Sequence, residues 1–359
     1  MSNIYERLRE RLDMFPQGFP KTESGVELEI LRRLFTADEA EIALHLHPFP
    51  EKVASISERT GKDKNELAKT LYEMSRRGLI MRYAGPEGEL YYALIPWMVG
   101  IWELQLNNLT PENIELYEKY FQEGIVPLQR RRKLGGFRVI PVEKGIEGNT
   151  EIQPYERVSQ IIESQTRFAV SDCICRKEAR ILGKGCNKLM EACMSFGASA
   201  DFYIENGLGR EISKQEAKEI LAKAEEDGLI HCSINSAGNK TFICNCCGCC
   251  CKSLAHLIKY GNLHAIVKSN YYAVKDEDTC TECGVCIERC QVNAIRTEND
   301  HTVIDKQKCI GCGLCASACP TGAITMVHKS PEEASPIFPS GKTLLSAMGA
   351  EMGKVFPFE

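Results

Sequence analysis

Apolar positions recur at helical spacing through the first third of the chain and alternate in short runs farther on. Residues 1–15, MSNIYERLRERLDMF, interleave charged and apolar positions as an amphipathic helix does. Residues 36–95 read as helix, helix, helix, hairpin. Thr36 with Glu39 and Asp63 with Glu66 have capping-box spacing, and Gly78 stops the third helix. Gly85-Pro86-Glu87-Gly88 turns a hairpin between residues 79–83 and 90–94. Residues 96–121 read as two helices around Thr110-Pro111, with Trp97, Trp102 and Leu106 spaced as a core stripe.

The middle third has an α/β pattern. Residues 168–172 (FAVSD) read as a strand and 188–204 as a helical stretch. Residues 214–227 read as a helix opened by the Ser213/Glu216 box and closed by Gly228. Two strands, 229–233 and 240–244, flank a polar turn, and a helix covers 252–260. Residues 294–297 and 301–305 form a hairpin around Asn299. The expected class is α+β.

A length of 359 residues leaves room for two or three domains, and 43% hydrophobic with 26% charged residues is ordinary for a globular chain. No apolar run approaches the ~18 residues of a membrane span, and the amphipathic start lacks a signal-peptide core. A net charge of −5 gives no general attraction to nucleic acid or anionic lipid. The expectation is a cytoplasmic protein without a membrane partner. The cysteines change the picture. There are 19, all after residue 172. An odd number of thiols in one half of a chain in a reducing compartment reads as metal ligands, not as a disulfide framework.

Eight of them form a double register, Cys280-x2-Cys283-x2-Cys286-x3-Cys290 and Cys309-x2-Cys312-x2-Cys315-x3-Cys319-Pro320, offset by 29 residues. The offset extends to Ile295 and Ile324. Residues 270–328 resemble the bacterial two-cluster ferredoxin module. The resemblance implies two [4Fe–4S] clusters with crossed fourth ligands: Cys280, Cys283, Cys286 and Cys319 on one, Cys309, Cys312, Cys315 and Cys290 on the other. Gly284 and Gly313 relieve crowding where backbone passes the cluster. Gln291 stands where the pattern usually has proline. A zinc site would want two ligand pairs separated by a longer loop.

Eleven cysteines remain. Cys173, Cys175, Cys186 and Cys193 have the spacing C-x-C-x10-C-x6-C, four thiols that suit one more cubane, with Arg176 and Lys177 to offset its charge. A structural zinc site is the alternative. Residues 243–252, ICNCCGCCCK, carry Cys244, Cys246, Cys247, Cys249, Cys250 and Cys251, with Cys232 as a distant further ligand. Six thiols exceed the four of a cubane. The stretch holds a [4Fe–4S] centre with two spare thiols, or a larger or non-cubane cluster, or it completes the 173–193 site. The Cys246-Cys247-Gly248 step is similar to the CCG element of heterodisulfide-reductase-type subunits, which implies a non-cubane cluster. The middle region is therefore expected to hold one or two further iron–sulfur clusters. His256, the nearest candidate acid, is expected on a helix surface.

The cysteine-free start resembles a winged-helix domain, with residues 64–77 in the place of the recognition helix. Residues 1–134 carry 19 Lys and Arg against 21 Asp and Glu, a net of −2, which favours protein docking over DNA. Arg130-Arg131-Arg132-Lys133 reads as a solvated linker face. The division is 1–134 winged-helix-like and helical docking domain, 135–269 cysteine-rich iron–sulfur domain, 270–328 two-cluster domain, and 329–359 a proline-rich tail, either a mobile end or a strap on a partner. With no G-x-G-x-x-G or P-loop, the expected function is electron transfer by a polyferredoxin-like subunit between redox partner proteins. Homo-oligomerisation is left open. The alternatives are a reductase with its catalytic centre at Cys244–Cys251, and a redox-responsive winged-helix regulator.

Overall fold

The computed structural model describes residues 3–146 and 153–358, so Met1, Ser2, the segment 147–152 and Glu359 lie outside the described residues. The chain divides into two compact units. The first comprises Met1–Arg132, Phe202–Leu208 and Leu345–Glu359, and the second Lys133–Asp201 and Gly209–Leu344.

In the first unit, helices Ile4–Asp13, Val26–Leu34, Ala37–Leu44, Val53–Thr60 and Lys64–Arg76 precede a hairpin, Met81–Ala84 and Leu90–Ala93. The short strand Glu51–Lys52 adds to Leu90–Ala93 and completes a three-stranded antiparallel sheet. The helix boundaries follow local chemistry. Thr36 and Glu39 form a reciprocal capping box, and Asp63 accepts from the amides of Asn65 and Glu66. Each such cap stabilises by about 1 kcal/mol. Trp97, Trp102 and Leu106 are buried, so the core stripe holds. The backbone around them forms short irregular turns, and the regular helix, Pro111–Tyr120, begins only after the Thr110 cap. The basic run is not wholly solvated. Arg132 is buried, donates to the carbonyl of Pro16, and has its pKa pulled down to about 10 by burial. The end of the tail packs on this chain's own first unit, not as the strap on a partner that the sequence suggested: Phe358 lies edge-on to Phe15 at 4.8 Å between ring centres, and Arg11 lies over the Phe358 ring.

The second unit is built on a six-stranded antiparallel sheet. Its strand order is Phe137–Ile140, Ile230–Ile234, Phe242–Cys246, Glu191–Phe196, Phe168–Asp172, Arg210–Glu211. The strand Glu191–Phe196 replaces the first part of the helix expected over 188–204. Ala192, Met194 and Phe196 alternate into the core against Phe168 and Val170, and that two-residue period outweighs helix propensity. The helix Ala198–Glu205 starts only after Gly197, whose φ is +57°. Helix Lys214–Glu226 is capped by Ser213 and packs Ala217, Ile220 and Leu221 on the sheet.

The two-cluster segment belongs to the same unit. Strands Tyr271–Lys275 and Ile324–His328 pair antiparallel and join its ends, and Ile295–Glu298 pairs with His301–Ile304 through a turn at Asn299 and Asp300, both at positive φ. The Val142 amide donates to the Cys312 carbonyl (2.9 Å), the Val139 amide donates to the Val267 carbonyl (3.0 Å), and the Val267 amide donates to the Phe137 carbonyl (2.7 Å). Residues 335–336 are tied down by the buried Arg138, which donates to both of their carbonyls.

Candidate metal centres

The 29-residue repeat is visible in the backbone. Gly284 (φ 76°, ψ −6°) and Gly313 (φ 79°, ψ −3°) each open a five-residue helix, Val285–Arg289 and Leu314–Ala318. A side chain would strain either left-handed residue. Each helix is closed by an extended cysteine, Cys290 or Cys319, and each repeat then enters a strand at Ile295 or Ile324. That extended residue turns the fourth thiol away from the three before it.

Two cavities result. One is walled by Cys280, Cys283, Cys286 and Cys319, with Val285 and Ile324. The other is walled by Cys290, Cys309, Cys312 and Cys315, with Val292, Ile295, Ile310, Leu314 and Met326. The empty space among these side chains is about 290 and 340 Å³, part of it open to solvent. In each, one thiol comes from the other repeat's motif. Burial, followed by repulsion from Cys315, Cys309 and Cys290, pushes the Cys312 thiol far up. Cys315 is pushed up to about 12, by burial and then by Cys309 and Cys290. Four thiols that cannot ionise together in an apolar cavity fit a cationic iron core, which offsets their mutual repulsion. Cys290 Sγ also accepts from the Ala294 amide at 3.2 Å.

A family model of the 4Fe-4S dicluster domain matches residues 273–326. That segment and the abundance of cysteine point to iron–sulfur electron transfer. The comparison with curated proteins found no match, and the comparison with solved structures found none either. No helix among the described residues is long and apolar enough to cross a membrane.

Outside the dicluster domain the remaining eleven cysteines fall into two groups, divided differently from their order in the chain. Cys186 does not sit with Cys173, Cys175 and Cys193. It meets Cys247, Cys249 and Cys250, whose four Sγ atoms all lie within 4.8 Å of one another. Cys186 is 4.0 Å from Cys247 and 3.7 Å from Cys250, and Cys250 is 3.6 Å from Cys249. Cys247 is buried against Ala192, Ala224 and Leu229, while Cys249 is exposed.

The other seven gather around the sheet. Cys232 lies directly opposite Cys244 on neighbouring strands, and Cys193 lies on the next strand across. Cys246 follows Cys244 by two residues and shares its face. Cys173 and Cys251 hold the N-cap positions of helices Ile174–Ile181 and Lys252–Ile258. The thiols perturb one another's ionisation in a closed series, Cys173–Cys175–Cys251–Cys246–Cys244–Cys193 and back to Cys173, with Cys232 acting on Cys246. Cys246 and Cys247, adjacent in sequence, therefore serve different groups.

Arg176 lies between the groups. It is fully buried, and its Nη1 donates to the Asn245 carbonyl at 3.0 Å and to Cys247 Sγ at 3.8 Å. Burial alone would lower its pKa, but the negative charges of Cys173, Cys247 and Cys193 outweigh it and raise the pKa overall. Lys177 points elsewhere, to Asp172 at 3.3 Å. His256, expected on a helix surface, is buried beside Tyr260, because helix Lys252–Ile258 turns that face into the unit. Sequence reasoning did not single out Glu178 and Lys252, a buried ion pair (3.0 Å) next to Cys251. Glu178 follows Arg176 by two positions on its helix, which is the only signal it carries.

Arg176→Met keeps the volume and removes the charge. Loss of such an outer partner is expected to weaken metal retention by the middle sites about 10- to 100-fold, with the dicluster irons unaffected. Iron retained against a chelator measures this.

Proposed function

We propose that the chain is a polyferredoxin-like electron-transfer subunit that passes electrons between redox partner proteins. The observation that supports this is the pair of cavities, each walled by four cysteines of which one comes from the other repeat. When bound there, [4Fe–4S] clusters supply one-electron chemistry. What the chain's own residues do is hold them: Cys280, Cys283, Cys286 and Cys319 in one cavity, Cys290, Cys309, Cys312 and Cys315 in the other. Val292, Ile295, Ile310 and Leu314 restrict water at the second, which tunes its potential. One or two further iron–sulfur clusters belong to the middle cysteines.

Residues 1–134 act as a winged-helix-like docking domain for a redox partner. Supporting this are the order of three helices and a hairpin, the net charge of −2, and the engagement of two of the four basic groups on residues 64–77, the segment in the place of the recognition helix. Arg77 pairs with Glu39 at 2.6 Å, and Arg76 donates to Asn206. Only Lys64 and Lys69 remain for a phosphate backbone.

Anaerobically purified protein is expected to contain at least eight irons and equal acid-labile sulfide, rising to about twelve to sixteen with the middle sites filled. Zinc without labile sulfide would overturn the reading. A cluster-dependent, sequence-specific DNA complex would favour the regulator instead.

A further inference from the structure

The loop between Cys247 and Cys249 touches the dicluster domain at one point. The Gly248 amide donates to Oε1 of Gln291 at 3.0 Å. A side chain on Gly248 would collide with the Gln291 carbonyl, so only glycine allows this approach. Gln291 directly follows Cys290, a wall of the second dicluster cavity. It is also the residue that departs from the usual proline of the two-cluster pattern, and proline has no side-chain acceptor to offer. Arg289, on the other side of Cys290, donates to the carbonyls of Glu225 (2.5 Å) and Glu226 (2.7 Å), at the C-terminal end of helix Lys214–Glu226. These contacts fix one side of Cys290 to the loop that carries Cys247 and Cys249, and the other side to the end of helix Lys214–Glu226.

We propose that Cys186, Cys247, Cys249 and Cys250 form a third four-thiolate iron–sulfur site, separate from the seven-thiol group, and that Gln291 and Gly248 couple it to the site containing Cys290. The covalent and hydrogen-bonded path is short: Cys290, Gln291, the Gly248 amide, then Cys247 or Cys249. Two independent observations point to an anionic iron–sulfur core here. The four Sγ atoms are gathered within 4.8 Å. Nε and Nη2 of the fully buried Arg176, whose Nη1 reaches Cys247, have no hydrogen-bond partner among the described residues. Inorganic sulfide and thiolate sulfur are acceptors for such groups, whereas a tetrathiolate zinc site offers only the thiolates. The exposed Cys249 opens this site to solvent, where a one-electron donor or acceptor protein can reach it. Exchange along the path moves one electron and no proton: one site is oxidised as the other is reduced.

The inference rests on the iron–sulfur reading of the chain, and the test separates the two. The full chain, its Cys186→Ser and Cys249→Ser variants, and Gln291→Leu are purified anaerobically and assayed for iron, zinc and sulfide. Dithionite-reduced samples are then examined by EPR. Each cysteine variant is expected to lose about four irons and four sulfides, the content of one cubane, while keeping the eight of the dicluster domain. The reduced dicluster signal, broadened in the parent by a neighbouring spin, narrows in both. Gln291→Leu keeps all its iron but loses the fast phase of electron redistribution after mixing with sub-stoichiometric dithionite. One zinc per chain that disappears in Cys186→Ser with iron unchanged overturns the proposal. So does unchanged metal in both cysteine variants, or a fast phase that survives Gln291→Leu. In each of those cases the dicluster irons remain, and the electron-transfer reading stands; absence of labile sulfide from the parent chain would remove both.

Discussion

Cys290→Ala is expected to empty the site it shares with Cys309, Cys312 and Cys315 and to spare the one that contains its own motif neighbours. About four of the eight dicluster irons should be lost, with one of two reduced EPR components. The reason is geometric. Cys290 closes the helix Val285–Arg289 in an extended conformation and joins the wall of the opposite cavity. Cys319→Ala should do the reverse, since Cys319 lines the cavity of Cys280, Cys283 and Cys286. The Cys290 site should suffer more completely: Cys309 and Cys315 are buried, and an unpaired group of three thiols in an apolar cavity has little access to a replacement water ligand. Damage confined to the Cys280 site after loss of Cys290 would show that the ligands do not cross.

The second large effect concerns two neighbours in the chain. Cys246→Ala and Cys247→Ala are expected to remove different spectral components. Cys246 ends the strand Phe242–Cys246 and faces Cys244, Cys251 and Cys232, whereas Cys247 turns to Cys186 and Arg176. All four members of the Cys186 group should be essential, because four thiols leave no spare. In the seven-thiol group some should be dispensable. Cys232→Ala is the first candidate, since Cys232 stands outside the closed series and acts on it at Cys246. Iron and sulfide analysis of single variants sorts them. If all six thiols of the closed ring prove indispensable, the centre they hold is larger than a cubane. A ring variant with full iron, normal reduction and no turnover with a physiological acceptor would instead place a catalytic centre there.

The dicluster site was legible because its information is local. C-x2-C-x2-C-x3-C sets the turn, the short helix and the extended fourth cysteine within eleven residues, and glycine at positions 284 and 313 meets the left-handed backbone such a turn needs. Helix caps at Thr36 and Ser213 were legible for the same reason: the groups that satisfy one another are three residues apart. Residues 188–204 misled because alternation over Glu191–Phe196 is short, and only pairing with Phe168–Asp172 makes it decisive. Arg132 and His256 look like surface residues until a neighbouring segment covers them.

By itself the sequence determined the inventory of thiols, their absence from the first 172 residues, and the doubled C-x2-C-x2-C-x3-C register of the dicluster domain. Only the tertiary structure decided how the other eleven divide. The spacing C-x-C-x10-C-x6-C suggested one site, yet Cys186 leaves it for Cys247, and the adjacent Cys246 and Cys247 part company at the end of a strand. A metal site needs thiols that converge in space, and in this region convergence is set by the register of three strands and by two helix starts far apart in the chain. The same holds for Gln291. As a letter it is a departure from proline; in the folded unit it is the acceptor for Gly248, because the sheet and helix Lys214–Glu226 bring the two loops together.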